Sequence, residues 1–111
     1  MDITIKTVLH PVADVEAAKP VYSALLGFEP QHDSSYYVGY DGAAQHIGLV
    51  PGGEGAPVAY WEVEDIKAKL DEVTAAGGTV KEAAHDVGGG RLVATVTDPD
   101  GNVLGLLQDP A

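Results

Sequence analysis

Two segments of this 111-residue chain show the same order of features, about 51 positions apart. Each begins with a β-rich run that leads to an aspartate, Asp14 in the first segment and Asp65 in the second. A helical pattern follows each aspartate and ends at glycine, in Leu26-Gly27-Phe28 and in Ala76-Gly77-Gly78. Aspartate favours helix starts and glycine favours helix ends, so the chain is predicted to contain two copies of one strand–helix unit.

The second copy is predicted to close with a hairpin around Asp98-Pro99-Asp100-Gly101. Proline presets φ for a turn, and Asp-Gly tolerates the positive φ that follows. The runs on either side, Arg91–Thr97 and Asn102–Leu107, are therefore predicted strands. Alternating apolar residues predict the other strands at Ile3–Val12, Glu29–Asp33, Ser35–Tyr40, Ala44–Val50, Val58–Val63 and Thr79–Ala84.

The first helix is predicted to bury a stripe at i, i+3, i+4 and i+7, made of Ala18, Val21, Tyr22 and Leu25. Pro20 inside that helix is expected to kink it, and Pro11 is expected to end strand pairing. The stretch Pro51–Pro57 is rich in glycine and proline and is predicted to join the two copies.

In this order and spacing, the motifs resemble the vicinal oxygen chelate superfamily, which includes glyoxalase I, bleomycin-resistance proteins and extradiol dioxygenases. The resemblance rests on Val12-Ala13-Asp14, Tyr22, Leu25-Leu26-Gly27-Phe28, Ala76-Gly77-Gly78 and Asp98-Pro99-Asp100-Gly101-Asn102. It implies a single α+β domain over residues 1–111. Its two βαβββ modules, at about 1–51 and 56–111, would form paired curved mixed sheets around a cavity.

In metal-dependent members of that family, four strands each contribute one metal ligand. The resemblance places those positions at Thr7, Gly48, Val58 and Gly105, none of which is His, Glu or Gln. Transition-metal sites need several imidazole or carboxylate ligands. The histidines show no ligand spacing either, at positions His10, His32, His46 and His85. We therefore expect no bound metal and no cofactor.

Around those four positions, strand alternation places further side chains on the same face, namely Leu9, His46, Tyr60, Glu62, Val103 and Leu107, with Tyr37 or Tyr40 within reach. An apolar pocket with a few polar groups is typical of small-molecule sites. The predicted ligand-binding residues are Thr7, Leu9, His46, Gly48, Val58, Tyr60, Glu62 and Gly105. The glycines are expected to leave open space for the ligand, although simple core filling is the alternative for each residue. Trp61 is predicted to face the helix.

Two main functions remain open. The first is a metal-independent protein that binds a small organic ligand, as bleomycin-resistance proteins do when they sequester a drug. The second is a metal-independent lyase or isomerase acting on a small carbonyl compound, with His46, Tyr60 or Glu62 as acid or base. A third is a degenerate structural or regulatory domain. Turnover distinguishes the first two, and no residue is assigned a catalytic role.

Composition limits the kinds of ligand and macromolecule that the protein is expected to bind. The net charge of −11 repels nucleic acid and anionic lipid and favours a cationic ligand, although solubility alone also explains it. The chain has no cysteine, no long apolar run and no signal-peptide pattern, so a cytoplasmic protein without membrane segments is expected. A homodimer is expected because it would complete a cavity and cover open strand edges.

Overall fold

A computed structural model describes residues 3–42, 45–52 and 55–110. This part of the chain contains eight strands and two helices, which confirms the predicted α+β class. The elements are β1 Ile5–Val12, α1 Val15–Leu26, β2 His32–Asp33, β3 Val38–Asp41, β4 His46–Pro51, β5 Val58–Glu62, α2 Ile66–Ala75, β6 Thr79–Asp86, β7 Leu92–Thr97 and β8 Val103–Gln108. Their order is βαβββ followed by βαβββ.

The chain divides into two compact units, which we call the first unit (Thr7–Val58) and the second unit (Met1–Lys6 with Ala59–Ala111). In the first unit the strand order is β2-β3-β4-β1, with β1 parallel to β4 and the other pairs antiparallel. In the second unit the order is β5-β8-β7-β6, and β5 is parallel to β8. Both units therefore connect their strands in the same way.

Helix α1 begins as predicted. The Asp14 carboxylate accepts hydrogen bonds from the backbone N–H groups of Glu16 at 3.0 Å and Ala17 at 3.3 Å. The helix ends at Gly27, whose φ of 86° is the left-handed conformation that glycine adopts at low cost. Both predicted ends of the helix are confirmed.

The predicted buried stripe of α1 is wrong at two positions. Val21 is 66% exposed and Leu25 is 78% exposed. The residues that pack on the sheet are Val15, Ala18, Tyr22 and Leu26, against a core of Val38, Tyr40 and Leu49. The actual stripe follows i, i+3, i+7 and i+11, so it starts one turn earlier than the predicted pattern and runs along a narrower face.

In the second unit, Asp65 caps α2 by accepting from the N–H of Ala68 at 3.1 Å. The core on the α2 side consists of Val63, Ile66, Ala94, Val96 and Leu106. Trp61 pairs with Leu106 in the β5–β8 ladder, so it lies on the predicted helix side of the sheet.

The closing hairpin is confirmed, with β7 and β8 paired antiparallel from Leu92↔Gln108 to Thr97↔Val103. The β1–β4 ladder continues through Pro11↔Val50 and ends at Val12↔Pro51, one residue beyond Pro11 and about where the end of pairing was expected. The predicted joint Pro51–Pro57 lies partly outside the described residues, since residues 53 and 54 are not included.

Candidate functional site

In the first unit, the sheet face opposite α1 carries four of the eight predicted site residues. The register pairs Thr7 with His46 and His46 with Asp41, and it pairs Leu9 with Gly48 and Gly48 with Gly39. Residues paired in a ladder point to the same side of a sheet, so two rows of side chains lie next to each other here. We call this surface the distal face, defined by Thr7, Leu9, Gly39, Asp41, His46 and Gly48.

Three side chains of the distal face and its rim form a continuous hydrogen-bonded chain. Asp41 Oδ1 lies 2.6 Å from His46 Nδ1. His46 Nε2 is hydrogen-bonded in turn to the hydroxyl of Tyr37, from the turn that precedes β3. The Tyr37 and His46 rings are nearly parallel, with 4° between their planes and 5.9 Å between their centroids. These hydrogen bonds therefore link the Asp41 carboxylate, the His46 imidazole and the Tyr37 phenol in one series.

The carboxylate sets the direction of these hydrogen bonds. An ionised carboxylate only accepts, so His46 Nδ1 carries the proton that it donates to Asp41. In the neutral imidazole, Nε2 is then an acceptor, and the hydroxyl of Tyr37 donates to it. The hydrogen bond from His46 is the largest cause that lowers the pKa of Asp41, which keeps the carboxylate ionised.

Asp41 is held from several sides. Its second carboxylate oxygen, Oδ2, is 3.2 Å from His32 Nε2 on β2. Its backbone N–H donates to Gln31 Oε1 at 2.8 Å. Each carboxylate oxygen therefore serves a different imidazole, and the backbone of Asp41 is fixed by Gln31. The carboxylate remains 52% exposed, whereas the His46 side chain is only 19% exposed.

The glycines of the distal face do not leave open space, and the sequence-based expectation is wrong in this respect. A Cβ atom on Gly48 would lie 2.7 Å from Leu9 Cδ2 and 2.8 Å from Tyr37 Cζ, and it would also collide with the Tyr37 hydroxyl. A Cβ atom on Gly39 would lie 2.7 Å from His46 Cε1 and 2.9 Å from Tyr37 Cε2. The two glycines make room for the Tyr37–His46 pair.

Thr7 adds a polar atom without a partner. The residue is only 6% exposed, and its hydroxyl oxygen has no hydrogen-bond partner among the described residues. Thr7 lies directly across the ladder from His46. A buried hydroxyl that forms no hydrogen bond costs about 1–3 kcal/mol.

The second unit places a different tyrosine over its own glycine. A Cβ atom on Gly105 would lie 2.5–2.8 Å from atoms of the Tyr60 ring, so the expected open space at Gly105 is also filled. Burial, and then the negative charge of Glu82, raise the pKa of Tyr60, so its phenol stays protonated. Glu62, on the same strand, forms a long ion pair of 3.9 Å with Lys6.

The predicted site residues therefore fall into both units. Thr7, Leu9, His46 and Gly48 come together on the distal face, and Val58 is the last residue of the first unit. Tyr60, Glu62 and Gly105 belong to the second unit, where Tyr60 pairs with Gly105. The ligand-binding roles assigned to the residues at 58, 60, 62 and 105 stay predictions.

Sequence reasoning missed Asp41, which lies between the predicted strands Ser35–Tyr40 and Ala44–Val50. Asp41 and His46 are five positions apart and become cross-strand neighbours only through the β3–β4 register. Of the two tyrosines expected to reach the site, Tyr37 does so. Tyr40 is fully buried on the α1 side, where its hydroxyl lies 2.9 Å from Ser23 Oγ.

Two grooves lie away from the distal face. One, of about 290 Å³, is on the α1 side of the first unit and is lined by Leu26, Phe28, Tyr40, Gly42, Gln45 and Ile47. The other, of about 260 Å³, is in the second unit and includes Glu62 beside residues of the α2 N-terminus such as Asp65. The first groove does not include Glu62. In the second groove, the lining residues beside Glu62 include no histidine or tyrosine.

The four positions that would hold the family's metal do not fit a metal ion. They offer a single threonine hydroxyl, and tyrosine rings cover Gly48 and Gly105. Within residues 3–42, 45–52 and 55–110, no group of three or more His, Cys, Asp or Glu side chains is arranged to hold a metal. No chemical step at this site is therefore assigned to a metal.

Comparison with known proteins agrees with the fold. A sequence model of the Glyoxalase/Bleomycin resistance protein/Dioxygenase superfamily matches residues 4–106. Two mycobacterial proteins named "Putative glyoxylase CFP32", from Mycobacterium bovis and Mycobacterium tuberculosis, are 33% identical to this chain over 110 residues. The match covers 86% of this chain, which spans only 41% of the length of those relatives.

Solved structures share the fold at low sequence identity. The hypothetical protein BH1468 of Bacillus halodurans has a TM-score of 0.83 at 13% identity, covering 100% of this chain and 97% of its own. A superfamily member from Vibrio splendidus has a TM-score of 0.71 at 17% identity, with 97% and 100% covered. Methylmalonyl-CoA epimerase of Streptomyces coelicolor, solved with 2-nitronate-propionyl-CoA, has a TM-score of 0.72 at 18% identity, with 96% and 94% covered.

Proposed function

Because the chain belongs to the Glyoxalase/Bleomycin resistance protein/Dioxygenase superfamily, we propose that it binds a small organic molecule without using a metal. The proposed site is the distal face of the first unit. There Thr7 provides a polar contact and Leu9 provides an apolar one, beside the Tyr37 ring, which is hydrogen-bonded to His46 and covers Gly48.

The observation that carries this proposal is the buried hydroxyl of Thr7. It lies beside His46 and has no partner in the described part of the chain. Proteins rarely leave such a group unpaired, because the lost hydrogen bond costs about 1–3 kcal/mol. A polar atom of a bound ligand would satisfy it and would also contact the neighbouring imidazole.

The net charge of −11 and the ionised carboxylate of Asp41 favour a ligand that carries positive charge. A drug-sequestering role of the bleomycin-resistance type fits these features, because sequestration needs affinity and no reacting group. The alternative function is a metal-independent lyase or isomerase acting on a small carbonyl compound. The hydrogen-bonded chain through His46 favours that alternative, because it could accept and return a proton.

The test is a thermal-shift screen of cationic and planar small molecules, followed by titration of the best compound against two matched variants. Thr7→Val removes the unpaired hydroxyl on the distal face. Thr95→Val removes a buried, unpaired hydroxyl on β7 of the second unit and serves as the control. Loss of one hydrogen bond predicts an affinity loss of roughly 2- to 10-fold for Thr7→Val and none for Thr95→Val.

The reverse pattern, with affinity lost only in Thr95→Val, would place the ligand in the second unit and overturn the proposed site. NMR spectra of the bound compound, recorded over time, then separate the two functions. An unchanged ligand indicates sequestration, whereas a new product indicates the lyase or isomerase.

A further inference from the structure

We propose that Tyr37, His46 and Asp41 form a triad in which the phenol oxygen of Tyr37 is a base-activated nucleophile toward the acyl carbon of an ester. His46 accepts the phenol proton, and Asp41 is the positioning residue that orients the imidazole. This inference rests on the proposed function only in locating a small molecule on the distal face. Its test uses a reactive probe and does not require the natural ligand.

The hydrogen bonds that link Tyr37, His46 and Asp41 have the geometry of an activated nucleophile. A nucleophile within hydrogen-bond reach of a base, with that base oriented by a third group, is the arrangement that activates weak oxygen nucleophiles. Here Tyr37 Oη is hydrogen-bonded to His46 Nε2, and His46 Nδ1 lies 2.6 Å from Asp41 Oδ1. The proton on Nδ1 leaves Nε2 as the acceptor, which is the tautomer required for removing the phenol proton.

The sheet is shaped to hold the Tyr37–His46 pair. Gly39 and Gly48 lie next to each other in the β3–β4 ladder, directly beneath the two rings. A Cβ atom at either glycine would displace Tyr37, and a Cβ atom at Gly39 would also displace His46. Because Gly39 and Gly48 both lack a side chain and face each other across the ladder, they leave the space that the Tyr37–His46 pair occupies.

The charges around His46 favour its role as the base. The titratable groups that face it are Asp41 on β3, His32 on β2 and Tyr37 in the turn before β3. The neighbouring β1 positions, Thr7 and Leu9, are uncharged. The carboxylate therefore stabilises the imidazolium that forms when His46 takes a proton, and its other oxygen is held by His32.

The step balances without any further reactant. The Tyr37 oxygen forms a bond to the acyl carbon of the ester while the phenol proton moves to His46 Nε2. The carbon–oxygen bond to the alcohol part of the ester then breaks, and the departing oxygen takes the proton back from His46 or leaves as an anion. The products are acyl-Tyr37 and the alcohol.

The experiment is to treat the full chain with p-nitrophenyl acetate and to locate acetyl groups by peptide mass spectrometry. Tyr36, the adjacent residue, is 77% exposed and serves as an internal control for simple accessibility. We expect acetyl on Tyr37 well before Tyr36. Equal or faster labelling of Tyr36 would show that accessibility governs the reaction and would overturn the inference.

The pH dependence provides a test that needs no variant. A phenol activated by a neutral histidine should reach its full labelling rate near neutral pH, because histidines usually lose their second proton between about pH 5 and 8. A phenol without a neighbouring base is labelled only as it ionises, toward pH ~10. If the rates at both tyrosines rise together toward pH ~10, no base assists Tyr37.

Three variants assign the roles of His46 and Asp41. His46→Gln removes the base and should slow acetylation of Tyr37 by about 100-fold or more while leaving Tyr36 unchanged. Asp41→Asn should slow it less and shift the pH profile, and Asp41→Glu should restore part of the rate. Unchanged labelling in His46→Gln would refute the triad. Labelling that fails while the thermal-shift screen finds a ligand would refute only this inference and leave the binding function standing.

Discussion

Substituting Gly48 by alanine tests whether this glycine provides the seat of the Tyr37 ring. Gly48 lies in strand β4 and is not among the glycines with positive φ, so its backbone accepts alanine without strain. The new methyl group would lie 2.7 Å from Leu9 Cδ2 and 2.8 Å from Tyr37 Cζ. Because real Cβ atoms do not approach neighbours so closely, the ring must move away from His46.

The expected magnitude combines two opposing effects. Overpacking a filled position costs about 1–3 kcal/mol. Replacing glycine by alanine in an extended backbone stabilises the folded protein by about 0.4–1 kcal/mol, because alanine restricts the conformations of the unfolded chain. The net loss of stability is therefore about 0–2.6 kcal/mol, with a midpoint of about 1.3 kcal/mol, and each kcal/mol lowers the Tm of a domain of this size by roughly 4–8 °C.

The assay is thermal unfolding of a double-mutant cycle. Gly48→Ala should lower the Tm more in the parent than in a Tyr37→Ala background, where the ring that meets the methyl group is gone. Leu9 is present in both backgrounds and is therefore controlled. A Tm for Gly48→Ala at or above that of the parent, or the same Tm loss in both backgrounds, would refute the idea that this glycine seats Tyr37.

Three further predictions, from the sequence and the structure, can be tested directly. Gly105→Leu was expected from the sequence to fill empty space, but it should instead displace the Tyr60 ring and lower the Tm, and a Tm equal to that of the parent would contradict the close contact. Elemental analysis after dialysis should find no stoichiometric divalent metal, whereas one equivalent of zinc, nickel, manganese or iron lost on mutating the distal face would contradict this. Light scattering should give a homodimer, and a clean mass near the 11.5 kDa of one chain would count against it.

A fourth prediction concerns acid stability. The hydrogen bond from His46 lowers the pKa of Asp41 in the folded chain below its ordinary value. A depressed carboxyl pKa stabilises the fold above the unfolded pKa of about 3.9, and this stability is lost as the pH falls through the folded pKa. Asp41→Asn should therefore destabilise the protein at neutral pH but not at pH ~2, as measured by urea unfolding. Equal destabilisation at both pH values would show that Asp41 contributes through something other than its charge.

Much of the fold could be predicted because its signals are local. Asp14 and Asp65 cap helices by binding N–H groups two or three residues away, and Gly27 ends its helix through its own φ. The hairpin around the Asp98 turn is likewise specified by adjacent residues, with the carboxylate accepting from Asn102 N at 2.8 Å. Such contacts depend on a few consecutive residues, so a sequence pattern is enough to recognise them.

The site could be predicted only in part. Strand alternation placed Thr7, Leu9, His46 and Gly48 on one face, and the β1–β4 register agrees with that placement. The spacing of residues did not indicate that a tyrosine from a preceding turn covers Gly48. Alternation specifies the side of a sheet to which a residue points, but a glycine leaves a space whose occupant can come from anywhere in the fold.

The sequence by itself determined the order βαβββ–βαβββ, the helix ends and the absence of metal-ligand residue types at the four expected positions. The tertiary structure decided which face of α1 is buried, leaving Val21 and Leu25 exposed, and it brought Asp41, His46 and Tyr37 into one hydrogen-bonded chain. The physical reason is the distance along the sequence between the residues that interact. Caps and turns are satisfied within a few residues, whereas the chain through His46 depends on the β3–β4 register, where a slip of one residue would turn His46 to the other face of the sheet.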